Sequence, residues 1–333
     1  MSRRLFVGCL FVATAALAGA WAVSDGPVTA AERTTVVQHA ADELERGYVF
    51  ADIGRKMAEH LRRRLADGAY EAATDPQAFA ETLTHEVRTV NDDGHLRIVV
   101  KGGGPSDNQA GGPPDRPAAV EGVQRLAGNV GYVRVNGFPP AEAIAPDLDR
   151  AMTTLKDTGA LIVDLRTNGG GNPSGAMYLA GFFFDKPTLM ARIYSRQGDT
   201  TTEMSTADVK GPLYTGKPLF ILTSRRTFSA GEAAAYHLKH VAHAITVGEP
   251  SGGGAHRIRG VDLNERFTMS LPYTRPINVV TNTDWEGTGV TPEIPSSAEA
   301  ALTTAHLAAL RKLPPSPERD AAIKELERGS KDR

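Results

Sequence analysis

Apolar positions in the first third of the chain recur at three- and four-residue spacing. The stretches "TTVVQHAADELERGYVF", "ADIGRKMAEHLRRRLADGAY" and "DPQAFAETLTHEVRTV" each carry one apolar face, with Gly68 and the Asp75-Pro76 pair as breaks. This spacing predicts helices from Arg33 to about Val90. In "NDDGHLRIVV" the period changes to that of a strand, and His95 stands at the change. Residues 101–117, "KGGGPSDNQAGGPPDRP", are rich in Gly and Pro and have no period, which predicts a linker. Beyond them, the apolar runs "NVGYVRVNGF", "GALIVDLRTNGGG", "KPLFILTS" and "AITVGEP" alternate with the helical patterns "AEAIAPDLDRAMTTLKDT", "NPSGAMYLAGFFF" and "SAGEAAAYHLKHVA". Such alternation predicts an α/β domain with a largely parallel sheet, to which "FTMSLPYTRPINV" adds antiparallel strands. The expected plan is a helical cap over 34–100, a linker over 101–118, an α/β core over 119–300, and a charged C-terminal helix or tail over 301–333.

The N-terminus has its own pattern. "MSRR" followed by "LFVGCLFVATAALAGAWAV" and the small residues Ala18-Gly19-Ala20 reads as an export signal over residues 1–30, or else an uncleaved anchor. Arg3 and Arg4 followed by Phe6 resemble a twin-arginine signal, with the general secretory route as the alternative. Either reading puts the folded part in the periplasm or outside the cell, touching a membrane only through this segment. Cys9, the one cysteine, lies inside it, so the rest of the chain can hold no disulfide, thiol nucleophile or thiolate metal site. Of the 333 residues 41% are hydrophobic, as expected for a globular protein, and 37 Lys plus Arg nearly balance 39 Asp plus Glu. That balance leaves no footprint for nucleic acid.

Candidate chemistry gathers at the junction of "KPLFILTS" with "SAGEAAAYHLKH". Ser229 stands where a buried strand gives way to a helix, a place that suits a helix cap or a nucleophile. As a nucleophile it needs a base and an oxyanion site. Unpaired N–H groups at a helix start, here those of Ala230 or Gly231, meet part of that need. The glycines of "DLRTNGGGN", residues 164–172, can present more. They fit neither a Walker loop nor a dinucleotide fingerprint. Asp164 and Arg166 read as a structural pair and Glu232 as a helix N-terminal acid favoured by the dipole. His237, Lys239, His240 and His243 read as a solvated helix face and no metal site.

Taken in order, "LIVDLRTNGGG", "FILTSRRTFSAGEAAAYHLK" and "AITVGEPSGGGAH" resemble the serine peptidase family of C-terminal processing (tail-specific) proteases, tricorn protease and interphotoreceptor retinoid-binding protein. The stretch before the linker is similar to the helical cap of the retinoid-binding-protein-like branch, so the resemblance spans Thr34 to Ile294. It implies a ClpP/crotonase-like α/β core without cofactor or metal, acting on peptide or unfolded protein. It further implies Ser229 as nucleophile, Ala230 and Gly169 or Gly170 as oxyanion donors, and no inserted peptide-binding module, for which 101–117 is too short. In processing proteases the base is a lysine, at the position of Gly254 here. The tricorn-like branch uses a histidine in a D-x-H context, which His95 fits, with Gly94 in place of a preceding serine. Its glutamate corresponds to Glu286 in "DWEGTGVTPEI". His256 is the alternative base. Two other functions stay open: a non-enzymatic binder of hydrophobic ligands, and a hydrolase of small esters, although "TFSAG" is no G-x-S-x-G elbow.

Overall fold

The computed structural model describes residues 26–102 and 118–331, so most of the segment expected to direct export and nearly all of the expected linker lie outside the described residues. Three helices form the cap: α1 (Ala30–Gly47), α2 (Ala51–Ala66) and α3 (Pro76–Val90). Their ends follow from local chemistry. Thr29 caps α1, and Asp75 accepts the Ala78 N–H ahead of Pro76, whose missing donor is harmless in a first turn. The apolar stripes meet around Leu44, Tyr48, Met57, Leu61, Phe79 and Leu83, all buried.

Strand β1 (Arg97–Val100) leaves the cap and pairs antiparallel with the long β10 (Phe267–Asn278) of the second half of the chain. Phe267, Met269 and Leu271 of β10, with Val261 and Leu263, share one core with the cap helices. The cap therefore does not stand apart. β10 also pairs with β9 (Arg257–Asp262) and β5 (Leu189–Ser195), and β5 with β6 (Thr200–Ser205), all antiparallel.

The second sheet has the order β11-β8-β7-β4-β3-β2, with β2 (Val120–Leu126), β3 (Val130–Val135), β4 (Ala160–Asp164), β7 (Leu219–Thr223), β8 (Ile245–Gly248) and β11 (Ile294–Pro295). All its pairings are parallel except β2 with β3. β4 and β7 are buried at every residue, as a strand covered on both faces must be. Val133, Leu161, Val163 and Ile221 meet α4 (Ala141–Leu155), α5 (Pro173–Gly181) and α6 (Ala230–Val241) on one face.

The other face corrects the expected plan. Residues after 300 do not merely form a charged tail: α7 (Ala301–Lys312) buries Ala301, Ala305, Ala309 and Leu310 against Tyr132, Ile162, Phe220 and Leu222. Small apolar residues at three- and four-residue spacing form this face, and charge elsewhere on the segment obscures it. α8 (Pro317–Lys331) packs on α7 through Ala322. Replacing buried Leu310 by Ala should lower the unfolding free energy in urea by about 2–5 kcal/mol. A change within about 0.5 kcal/mol, typical of a surface site, would contradict this packing.

Candidate active site

Parallel strands β4 and β7 end side by side, and both loops that follow them are pinned there. Thr227 donates to the Leu165 carbonyl at 2.8 Å and Ser224 to the Arg166 carbonyl at 2.6 Å. Asp164, at the end of β4, takes Arg166 through Nε at 2.9 Å and Nη2 at 2.7 Å, and Tyr132 Oη at 2.7 Å. This is the structural pair expected of Asp164 and Arg166. Asn168 then joins the loops: its carbonyl accepts the Phe228 N–H at 3.0 Å and its Oδ1 the Gly170 N–H at 2.9 Å.

Ser229 follows at the N-cap of α6 with φ 52° and ψ −119°, in a region that non-glycine residues avoid. Such a backbone costs on the order of 1–3 kcal/mol and persists where its surroundings over-determine it. They do so here. The Ser229 N–H donates to Glu232 Oε2 at 2.9 Å, and the glycine loop lies directly against the turn. A Cβ on Gly170 would come 2.8 Å from Ser229 Cβ and 3.1 Å from the Ala230 nitrogen, and Gly170 itself has φ +109°. Ser229 is half-buried, beside a first turn whose Ala230 N–H enters no hydrogen bond among the described residues. Of the glycines named from sequence, Gly170 donates its N–H to Asn168 Oδ1, whereas no hydrogen bond engages the Gly169 N–H among the described residues.

Glu232 is more than a dipole-favoured surface acid. It is fully buried, and its carboxylate accepts from Ser251 Oγ (2.5 Å) and from the N–H groups of Gly253 (2.6 Å), Gly254 (2.8 Å) and Ser229. Burial pushes its carboxyl above the ordinary range, and the four donors, which favour the ionised form, oppose that rise. The spacing S-x-x-E was the available signal, as a capping box. Its partners at 251–254 are far away in sequence and gave none.

His95 comes to this place from the cap. Its ring packs on Phe228, with centroids 4.7 Å apart, next to Ser229 in the chain. A Cβ on Gly254 would lie 2.3 Å from Phe228 Cζ and 2.7 Å from His95 Cε1. The volume into which a lysine at 254 would start is thus filled by these two rings. Gly94 is different, since a Cβ there would meet Phe228 Cζ at an ordinary 3.4 Å.

Asp93, His95 and Glu286 each offer an oxygen or ring nitrogen within 4.8 Å of the others. Asp93 is engaged on both oxygens: Oδ1 accepts the His95 N–H at 3.0 Å, and Oδ2 accepts from Tyr48 Oη at 2.9 Å and His256 Nδ1 at 2.7 Å. Burial works against its charge, but these bonds, that of His256 foremost, hold its carboxyl below the usual range. With its oxygens so committed, the trio suits a charge relay better than a cation cage. Glu286 Oε2 accepts the N–H groups of Ala255 (2.6 Å) and His256 (3.1 Å), while Oε1 is buried with no hydrogen bond among the described residues. Burial and the Asp93 charge push the Glu286 carboxyl up to about 7.

The structure therefore brings Ser229, Ala230, Gly169, His95 and Glu286 into one neighbourhood and adds Asp93, Glu232 and Asn168, which sequence reading left without a part. Of His237, His240 and His243, expected on a solvated face, His237 is not there, whereas His240 is half-buried and His243 exposed. His237 is fully buried, with Nδ1 2.9 Å from Asn278 Nδ2 and its ring against Trp285, and burial drives its pKa down to about 3.

A Gly254→Lys variant should fail to create a serine–lysine pair. Its Cβ displaces both rings, so the thermal midpoint should fall, in keeping with about 1–3 kcal/mol for overpacking, whereas Gly94→Ser should leave it within a degree or two. A Gly254→Lys protein as stable as its parent would refute the steric account.

Two family models match the chain. Residues 129–296 match the model of peptidase family S41, and residues 14–130 match that of the N-terminal domain of this peptidase in eukaryotic IRBP. The chain is similar to carboxyl-terminal-processing peptidase 2 of Arabidopsis thaliana chloroplasts, 27% identical over 50% of this chain and 32% of that one. It is also similar to carboxy-terminal processing protease CtpB of Bacillus subtilis, 30% identical over 43% of this chain and 29% of the other. The matched stretch thus spans about a third or less of these relatives. In fold it resembles the photosystem II D1 C-terminal processing protease, with a TM-score of 0.55 at 16% identity over 80% of this chain and 94% of that one. A lipoprotein from Streptococcus agalactiae gives 0.60 at 14% identity over 84% and 97%. The family model covers half of the sequence, including both loops around Ser229, His256 and Glu286: the chain belongs to peptidase family S41.

Proposed function

We propose that this protein is an exported serine peptidase that cleaves peptide bonds through an acyl-enzyme on Ser229. The observation that carries this reading is the left-handed backbone of Ser229, held between the glycine loop and Glu232 beside the Ala230 N–H. The activity is that named for the processing-protease relatives. In this reading His95 takes the Ser229 proton as Oγ bonds to the carbonyl carbon. The N–H groups of Ala230 and Gly169 hold the oxyanion. His95 then gives its proton to the leaving nitrogen as the C–N bond breaks, and water, activated by the same imidazole, releases the acyl group. Glu286 faces His95 and stabilises the imidazolium.

Peptide or unfolded protein is the proposed substrate, since the family acts on such chains. Export is proposed from the basic, apolar and small-residue succession of the first thirty residues. Among the described residues no helix is long and apolar enough to cross a membrane.

A fluorophosphonate should label the purified protein on Ser229, and Ser229→Ala and His95→Ala should each lower labelling and casein cleavage by at least about a thousandfold. A folded wild type that takes no label would instead favour a non-catalytic binder, and extraction of its ligand would follow. The pH profile carries a second expectation. Glu286 must be ionised to support the imidazolium, and its pKa is about 7. The rate of labelling should therefore fall below about pH 7, and a flat rate down to pH 5 would remove Glu286 from the scheme.

A further inference from the structure

The proposed chemistry gives no part to one titratable side chain buried against Asp93 and Glu286. His256 immediately precedes β9, with its side chain wholly out of solvent. Packing alone is a poor reason for an imidazole here. Its Nε2 is buried without a hydrogen-bond partner among the described residues, and its ring meets the Phe50 ring edgewise, at 5.6 Å between centroids. An apolar ring would fill the same space without an unsatisfied nitrogen.

What His256 supplies is a donor aimed at two carboxylates. Nδ1 is 2.7 Å from Asp93 Oδ2 and 3.5 Å from Glu286 Oε2, and the His256 main-chain N–H bonds that same Glu286 oxygen at 3.1 Å. Asp93 holds the His95 main chain, and Glu286 reaches toward the His95 ring. Two buried carboxylates this close do not both ionise without a compensating charge.

The other groups around the imidazole do not provide that charge. Asp284 adds a third anion, but Arg275 engages it at 2.8 Å, with its guanidinium over the Phe50 ring. The Tyr48 hydroxyl donates to Asp93, and burial raises its pKa far above the ordinary range, so it stays neutral. His95 lies on the side of Ser229 and must be neutral to act as base. Burial works against charge on His256 as well, yet its bond to Asp93 and the fields of Glu286 and Asp284 hold it above its usual pKa.

We propose that His256 is a positioning residue for the reaction: as an imidazolium it bridges Asp93 and Glu286, keeping both carboxylates ionised and in place beside His95. This rests on the assignment of Ser229, His95 and Glu286 made above. Without the bridge, Glu286 would keep its proton to higher pH, and the base would lose the charge that stabilises its protonated form.

The test is the pH dependence of fluorophosphonate labelling at Ser229 in the wild type, His256→Asn and His256→Phe. Asn sets an amide N–H where Nδ1–H stood, keeping the hydrogen bond and removing the charge. In His256→Asn the acid limb should move up by about one pH unit, a roughly tenfold loss at pH 6 that vanishes above about pH 9. In His256→Phe the shift should be at least as large. A uniform loss at every pH, or an unmoved limb, would overturn the bridge and leave Ser229 as nucleophile intact. Absence of labelling in the folded wild type would overturn both. Should neither variant fold, nitrogen-15 shifts of His256 in the wild type decide: protons on both ring nitrogens at the pH of full labelling support the bridge, and a single proton refutes it.

Discussion

The Glu232 carboxylate binds the Ser229 N–H and the N–H groups of Gly253 and Gly254 at once, joining two loops that lie at the ends of different strands. The first turn of α6 leaves N–H groups without intrahelical partners, and the loop after β8 does the same at its glycines. One buried anion answers both needs. Backbone amides around a carboxylate form short bonds in a medium of low polarity, so displacing any of them exposes an unsatisfied charge. The left-handed Ser229 backbone is tolerable because this arrangement, with Gly170 pressed against it, leaves it nowhere else to go.

The same loop explains how the chain differs from a serine–lysine arrangement. Main chain at 251–254 is held close under Phe228, and Gly254 leaves room there for the Phe228 and His95 rings. A side chain at 254 and a ring from the cap compete for one volume. Glycine at that position and histidine at 95 are therefore two halves of a single steric solution.

That solution makes the cap part of the candidate site. β1 is registered on β10 from Arg97 to Val100, which fixes the strand leading out of His95. Tyr48 and His256 approach Asp93 from the cap and the core, and the shared apolar core beneath β10 holds the two together. Loosening the cap would thus move the histidine, the carboxylates and the packing of Phe228 together.

Local periodicity determined the cap helices, the alternating core and the antiparallel addition, because burial on one face of a helix or both faces of a strand leaves its mark within ten or so residues. It also marked Ser229 at a strand-to-helix junction and the glycines facing it, since strand ends and glycine runs are local features. α7 was missed as a core element because its buried face is made of alanines, whose apolar signal is weak beside neighbouring charges. The role of Glu232 was hidden for another reason: S-x-x-E announces a cap, but the other three donors come from another strand end. The cluster of Asp93, His95, His256 and Glu286 is tertiary in the same sense. No spacing encodes it, because three separate segments meet only when the cap docks on β10, and the hydrogen bonds and charges that define the cluster act through space over a few ångströms.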